Sequence, residues 1–118
     1  MHGFLTVYKA SAGSGKTFTL AAEYIAMIIG NPEENHRNVL AVTFTNKATA
    51  EMKQRVLKEL WDMGYKASYS ASDFFQTVAR KCPGVDSGQI REMAKAALHA
   101  ILHDYDYFHV KTIDAFFQ

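Results

Sequence analysis

The sequence predicts an α/β fold in which helices flank a parallel β-sheet. Short, β-rich apolar runs alternate with segments of helical periodicity, and a glycine-rich turn joins the first apolar run to the first helix. The second apolar run shows no polar alternation, which is typical of a strand in a parallel sheet covered on both faces. With 118 residues, the chain is at most one small domain.

A strand and a long apolar helix come first. The strand is predicted over residues 4–9, and the helix starts near Lys16, where apolar residues begin to recur at helical spacing. Gly30 and Pro32 are expected to end this helix, because glycine accepts a left-handed cap and proline cannot continue the hydrogen-bond ladder. The second strand is predicted over residues 38–44.

Another helix follows the second strand. Thr45 or Asn46 is expected to cap it, and its apolar residues share one face as far as Met63. The charged residues of this helix are expected on a solvated face. A polar connection over residues 64–72 then leads to a short helix over residues 72–81.

The last part of the chain contains a further helix and a third strand. Asp86 with Gln89 three residues later predicts a helix start, and the helical spacing continues to Leu102. The third strand is predicted over residues 108–113, and Asp114 is expected to cap a helix that has only just begun where the sequence stops. This ending favours a fragment of a longer protein.

Composition restricts the function classes. The chain is 48% hydrophobic and 21% charged, as in an ordinary soluble globular protein, and no apolar run is long enough to cross a membrane. The net charge of +1 gives no support to nucleic-acid binding by bulk charge, so any such contact must be local. The single cysteine, Cys82, suits the reducing cytoplasm and is interpreted as an inert structural thiol.

The strongest motif is the segment ASAGSGKT at residues 10–17, between the first strand and the first helix. It matches the phosphate-binding P-loop pattern except that alanine replaces the first glycine. Gly13 and Gly15 allow backbone N–H groups to point at a phosphate, Lys16 would reach the β- and γ-phosphates, and the Thr17 hydroxyl would complete a Mg²⁺ shell. The predicted ATP-binding residues are Ala12, Gly13, Ser14, Gly15, Lys16 and Thr17.

Catalysis by this motif needs further groups. Lys16 and Thr17 are the predicted catalytic residues, with Thr17 also the metal ligand, but hydrolysis additionally needs a carboxylate that holds Mg²⁺ and usually an arginine. No apolar run here ends in Asp-Glu, and Asp104 and Asp106 precede a strand instead of following one. The 118 residues are therefore expected to bind ATP without splitting it. The alternative, a glycine-rich turn that merely links a strand to a helix, is disfavoured by the strand–loop–helix context.

Three blocks together resemble superfamily 1 DNA helicases of the UvrD/Rep type and the RecB/AddA helicase–nucleases. They cover residues 10–17, 40–52 and 112–117, and the most specific is AVTFTNKA in the second block. Alanine at the first P-loop position is usual in that family. The resemblance implies an incomplete P-loop NTPase (RecA-like) fold, with residues 1–118 as the N-terminal part of a single motor domain truncated after the third helicase motif.

The resemblance also implies a function and its partners. The intact protein would be an ATP-dependent DNA helicase, or a helicase–exonuclease subunit, that couples ATP hydrolysis to translocation on single-stranded DNA in repair or recombination. ATP and Mg²⁺ would be its cofactors. Its partners would be single-stranded DNA, the rest of the motor with a second RecA-like domain, and a nuclease subunit in some relatives. The implied DNA-binding residues are Thr43, Phe44, Thr45, Asn46, Lys47 and Thr112.

Several alternatives and departures accompany this interpretation. Without the resemblance, Phe44 would be interpreted as a core aromatic at a strand end. Asp114 stands where many relatives carry histidine, and a carboxylate there would repel a phosphate. The glutamine that contacts adenine in UvrD-like enzymes has no counterpart here, which favours the RecB branch. His99 and His103 have the spacing of a metal-binding pair but are interpreted as part of a solvated face.

Two rival functions stay open at this point. A small-molecule or nucleotide kinase shares the P-loop but needs an arginine-rich lid, whereas the arginines of this chain are scattered. The other rival is a nucleotide-binding fragment with no activity of its own.

Overall fold

The structure is a computed structural model that describes residues 4–7, 14–30 and 36–116. The strands in these ranges are β1 (Phe4–Val7), β2 (Val39–Thr43) and β3 (Val110–Thr112). The α-helices are α1 (Ser14–Gly30), α2 (Asn46–Tyr65), α3 (Asp73–Arg80), α4 (Ser87–His103) and α5 (Ile113–Phe116). Two short 3-10 helices are Ala67–Ala71 and Tyr105–Tyr107.

The three strands form one parallel sheet in the order β1-β2-β3, which confirms the α/β prediction. Val7 pairs in register with Val42, and Thr43 pairs with Thr112. Because both crossovers progress in the same direction and such connections are right-handed, they place their helices on one face of the sheet. The contacts between α1 and α2, and those of both helices with β2, agree with this arrangement.

The main core lies between that face of the sheet and the helices. Val39, Ala41 and Val110 enter it from the strands, together with buried apolar residues of α1, α2, α3 and α4. Val42 points to the opposite face, because side chains alternate along a strand, and it is buried outside this core cluster. Leu40 on that face is only half-buried. The helices of the two crossovers therefore lie on one face of the sheet, while Val42 is nonetheless buried on the other.

Helix starts follow the predicted capping residues closely. The Thr45 hydroxyl accepts a hydrogen bond from the Ala48 backbone N–H at 3.0 Å, which confirms it as the cap of α2. Asp86 and Gln89 form a reciprocal capping box at the start of α4, also as predicted. These local hydrogen bonds set where each helix begins.

The end of α2 differs from the prediction. The helix continues through Gly64 and Tyr65, which the residue pattern assigns to a connection, and the 3-10 helix forms inside that connection. Gly64 is buried against α4, and a Cβ atom there would lie 2.7 Å from Lys95 Cγ. The missing side chain allows the two helices to approach, so close packing outweighs the low helix propensity of glycine.

The start of α5 also corrects a prediction. Asp114 does not cap this helix but lies exposed within its first turn. The capping role belongs to Thr112, whose hydroxyl accepts a hydrogen bond from the Ala115 N–H at 3.2 Å. The predicted strand ends at residues 8 and 9, and the helix stop at Asn31 and Pro32, lie outside the described residues.

Candidate functional site

The candidate phosphate-binding segment lies where β1 leads into α1. Ala12 and Gly13 are outside the described residues, whereas Ser14, Gly15 and Lys16 form the first turn of α1 with Thr17. Thr17 is half-buried. The strand-to-helix context that the motif requires is therefore present on both sides of residues 8–13.

The N-terminus of α1 is suited to an anion. The first N–H groups of a helix have no partner within the helix, and the aligned peptide dipoles place partial positive charge there. No acidic residue occupies the first turn of this 17-residue helix, so no carboxylate of that turn competes with a phosphate. With the Thr17 hydroxyl in the same turn, the residues present fit a nucleotide phosphate with Mg²⁺.

Hydrogen bonds among three threonines organise the turn after β2. Thr43 is buried, and its Oγ1 lies 2.6 Å from Thr49 Oγ1 on α2. The Thr49 hydroxyl also donates to the Thr45 carbonyl at 3.1 Å. Thr43 thus fixes the path of the chain from β2 into α2, and its hydroxyl is hydrogen-bonded within the protein.

The residues that follow Thr43 form the exposed part of this turn. Phe44, Thr45, Asn46 and Lys47 are all exposed, and Phe44 has 44% of its surface accessible. The interpretation of Phe44 as a core aromatic is therefore wrong. An exposed aromatic ring beside a lysine at a helix start presents a stacking surface together with N–H donors and a positive charge.

The start of α1 and the turn after β2 lie at the same edge of the sheet. β1, β2 and β3 are parallel, so their C-terminal ends meet at one edge, and ligands of open α/β sheets bind outside this edge. Thr112, the register partner of Thr43, belongs to the same edge and is half-buried in its capping role. Asp114, one residue beyond Ile113, places an exposed carboxylate there.

An arginine between two aromatic rings joins the helices behind this edge. The Arg55 guanidinium on α2 lies 5.6 Å from the Phe18 ring of α1 and 5.7 Å from the Phe74 ring of α3. Its Nε donates to Glu59 at 2.7 Å, and the Tyr69 hydroxyl donates to the other oxygen of that buried carboxylate. Burial, and then the hydrogen bond to Glu59, raise the pKa of the Tyr69 hydroxyl.

Sequence reasoning missed this network because it assigns these charges to a solvated face. The sequence does contain one signal of this network, which is the spacing of four residues between Arg55 and Glu59. This spacing permits an ion pair on one side of a helix. Asp62 is buried too, with Lys58 at 2.8 Å and Lys66 at 3.1 Å.

The remaining candidates show no arrangement for chemistry. His99 and His103 are exposed, and His99 Nε2 lies 2.9 Å from the Tyr65 hydroxyl. Across the described ranges, no group of three or more His, Cys, Asp or Glu side chains is placed to hold a metal ion. Burial raises the pKa of the Cys82 thiol, which disfavours the reactive thiolate.

In the part of the chain that the structure describes, no helix is both long and apolar enough to span a membrane.

Comparison with known families decides the relationship. The UvrD/REP helicase N-terminal domain matches residues 2–116, almost the full chain. The chain belongs to the UvrD/REP helicase family. This assignment agrees with the resemblance of the three sequence blocks.

Individual relatives in the UvrD/REP family match about half of the chain. The ATP-dependent DNA helicase PcrA of Staphylococcus aureus is 51% identical over 53 residues, which are 45% of this chain and 7% of PcrA. The RecBCD enzyme subunit RecB of Chlamydia muridarum is 44% identical over 52 residues, which are 44% of this chain and 5% of RecB. RecB of Chlamydia trachomatis gives the same values. The matched segments are thus under a tenth of each relative, and no solved structure matches the chain.

Proposed function

We propose that this chain is the N-terminal, ATP-binding part of a RecA-like motor domain in an ATP-dependent DNA helicase of the UvrD/RecB type. In the intact protein, ATP hydrolysis would be coupled to movement along single-stranded DNA in repair or recombination, in the cytoplasm. The observation that carries this proposal is the placement of two segments, the start of α1 and the exposed turn after β2, at one edge of a parallel sheet.

The nucleotide half of the proposal uses the first turn of α1. Backbone N–H groups from Ala12 to Thr17 would hold the phosphates, Lys16 would neutralise the β- and γ-phosphates, and the Thr17 hydroxyl would bind Mg²⁺. The bound Mg²⁺ would supply charge stabilisation on the phosphate oxygens. Lys16 and Thr17 are accordingly the proposed catalytic residues of the complete motor.

The DNA half uses the turn at the start of α2. Phe44 would stack on a base, and Lys47 with the N–H groups of Thr45 and Asn46 would contact phosphates. Thr43 and Thr112 take a supporting role, because the Thr43 hydroxyl is buried in the threonine network and the Thr112 hydroxyl caps α5. This division changes the expectation that all six residues contact DNA directly.

Titration with a fluorescent oligo-dT tests the DNA half. Phe44→Ala is expected to weaken binding by roughly 5- to 150-fold, since base–aromatic stacking contributes about 1–3 kcal/mol. Tyr105→Ala is the matched control, because Tyr105 is equally exposed but lies after α4, away from this edge. Equal weakening by both substitutions, or none by either, would remove Phe44 from the proposed interface.

An ATPase assay tests how the halves work together. We expect no turnover from the 118 residues with or without oligo-dT, because no described strand is followed by the carboxylate pair that this chemistry uses. Turnover stimulated by oligo-dT would show that the chain holds a catalytic carboxylate that we have not assigned. Within residues 4–7, 14–30 and 36–116, no feature favours the kinase alternative.

A further inference from the structure

Exposed apolar side chains are concentrated along the seam between α2 and α4. Among the described residues, five large apolar side chains are exposed, and all but Phe44 belong to α2, α4 or the 3-10 helix after α4. These four define the α2/α4 surface: Trp61, Tyr65, Leu102 and Tyr105.

Helical spacing and side-chain contacts join these residues into one surface. The Trp61 and Tyr65 rings, one turn apart on α2, stack with 4.3 Å between their centroids. The Tyr65 hydroxyl lies 2.9 Å from His99 Nε2 on α4, and Leu102 follows His99 by one turn on the same side of that helix. Tyr105 comes just beyond, where the Lys53 ammonium of α2 lies over its ring.

The exposure of these side chains is not explained by packing within the chain. Trp61 is half-exposed, and Leu102 is 57% exposed although leucine side chains normally enter the core. Contiguous apolar surface of this kind marks interaction sites, and Trp and Tyr are enriched among the residues that contribute most to protein–protein binding.

Cations border the apolar centre of the surface at both ends. Lys53 Nζ lies 5.3 Å from the Tyr105 ring, and Lys95 Nζ lies 5.3 Å from the Tyr65 ring. Lys58, one turn before Trp61, is 65% exposed. The negative charges nearby include the buried Asp62, which Lys58 and Lys66 share, and Glu92, which is 3.1 Å from Lys95. Asp106 is exposed, and Asp104 is paired with Arg37.

This charge pattern selects among possible occupants. A second copy would present the same lysine-bordered surface and no excess of carboxylates, so it would offer these lysines little electrostatic attraction. Single-stranded DNA on the turn at Thr45 would not reach Trp61, which lies sixteen residues further along α2, roughly 24 Å at 1.5 Å per residue. Leu102 also offers no ring on which a base can stack.

We infer that the α2/α4 surface docks a protein segment with an apolar ridge flanked by carboxylates. Trp61 and Leu102 would receive the ridge, and Lys53, Lys58 and Lys95 would face the carboxylates. This inference stands apart from the proposed function, because none of these residues belongs to the nucleotide or DNA segments.

Trp61 gives a direct readout, because it is the only tryptophan in the chain. We suggest selecting short random peptides on the full 118-residue chain by phage display. Synthetic copies without tryptophan would then be titrated while the Trp61 emission is recorded. The expected peptides carry apolar residues three or four apart, flanked by Asp or Glu, and shift the emission to shorter wavelength.

Two matched charge reversals test the chemistry. Lys95→Glu is expected to weaken the selected peptides by about tenfold or more, equivalent to at least 1.4 kcal/mol. Arg80→Glu on α3, at an exposed site away from this surface, is expected to change the affinity by less than about twofold. Leu102→Ser tests the apolar contact, and circular dichroism checks that each variant keeps its fold.

Four outcomes would overturn the inference. The selection could give no peptide that shifts the Trp61 emission, or it could give peptides rich in Lys and Arg. The two charge reversals could weaken binding equally, or dimerisation or oligo-dT, instead of an acidic peptide, could shift the emission. An oligo-dT shift that survives Phe44→Ala would assign the surface to nucleic acid and leave the proposed function intact.

Discussion

Replacing Arg55 by methionine removes the cation that pairs with the Glu59 carboxylate, the one such cation among the described residues. Glu59 is 2% exposed, and its other described partner is the hydroxyl of Tyr69. Methionine retains much of the arginine stem and its contact with the rings of Phe18 and Phe74. The substitution therefore isolates the charge from the packing.

The expected loss of stability is about 3 kcal/mol. Breaking a buried ion pair from one side costs about 3–5 kcal/mol, because the other charge stays buried. The lower end applies, since the Arg55 side chain is 29% exposed and Tyr69 still donates to Glu59. The two cation–π contacts contribute about 0.5–1 kcal/mol each.

The assay is urea unfolding followed by circular dichroism, with Lys58→Met as the matched control on the same helix. Lys58 also pairs with a buried carboxylate four residues later, Asp62, but Lys66 remains within 3.1 Å of it. The control is expected to cost less than about 1 kcal/mol, as an exposed lysine in an ion pair does.

The double variant Arg55→Met with Glu59→Leu completes the test. It is expected to regain most of the lost stability, because replacing a whole buried pair with apolar side chains is often neutral. If Arg55→Met costs no more than Lys58→Met, or if the double variant is the least stable of all, the network does not hold α1, α2 and α3 together as described.

Three other predictions concern caps and charges. Thr45→Ala is expected to lower the unfolding free energy by about 1 kcal/mol through loss of the α2 cap, and an unchanged urea midpoint would contradict it. Burial alone would raise the pKa of Asp62, but hydrogen bonds from Lys58 and Lys66 outweigh it and hold that pKa below the ordinary 3.8. The resulting stabilisation is present at neutral pH and is lost below about pH 4. Asp62→Asn should therefore make the unfolding free energy fall less steeply as the pH drops below about 4. An equally steep fall would refute this. Asp114→Ser removes an exposed carboxylate from the proposed DNA edge and should tighten oligo-dT binding by roughly threefold at low salt, whereas weaker binding would indicate a direct DNA contact by Asp114.

The order of elements was predictable because each carries a local signal. The apolar run of β2 and the capping pattern of Asp86 and Gln89 depend on residues close in sequence, and the structure confirms both. Which faces of the sheet the helices cover depends on the order of the strands, and the apolar run of β2 does not encode that order. The continuation of α2 through Gly64 depends on the approach of Lys95 from another helix, about thirty residues away.

The candidate site shows the same division between local and distant effects. The turn after β2 was located by its sequence block, and the exposure of Phe44 agrees with a role at the surface. The burial of Thr43 follows from its pairing beside β3 and its contact with Thr49 on α2, neither of which a residue pattern shows. Arg55 looked like a surface charge because Phe18 and Phe74 come from other helices.

The most direct test of the central claim is titration of the 118-residue chain with a fluorescent ATP analogue in the presence of Mg²⁺. We expect saturable binding that Lys16→Ala weakens at least about tenfold, because the ammonium charge that would face the phosphates is lost. Lys81→Ala, an exposed lysine after α3, is the control and should bind as the unaltered chain does. Equal affinity of the Lys16→Ala variant and the unaltered chain, or no binding by either, would contradict the assignment of this edge as a nucleotide site.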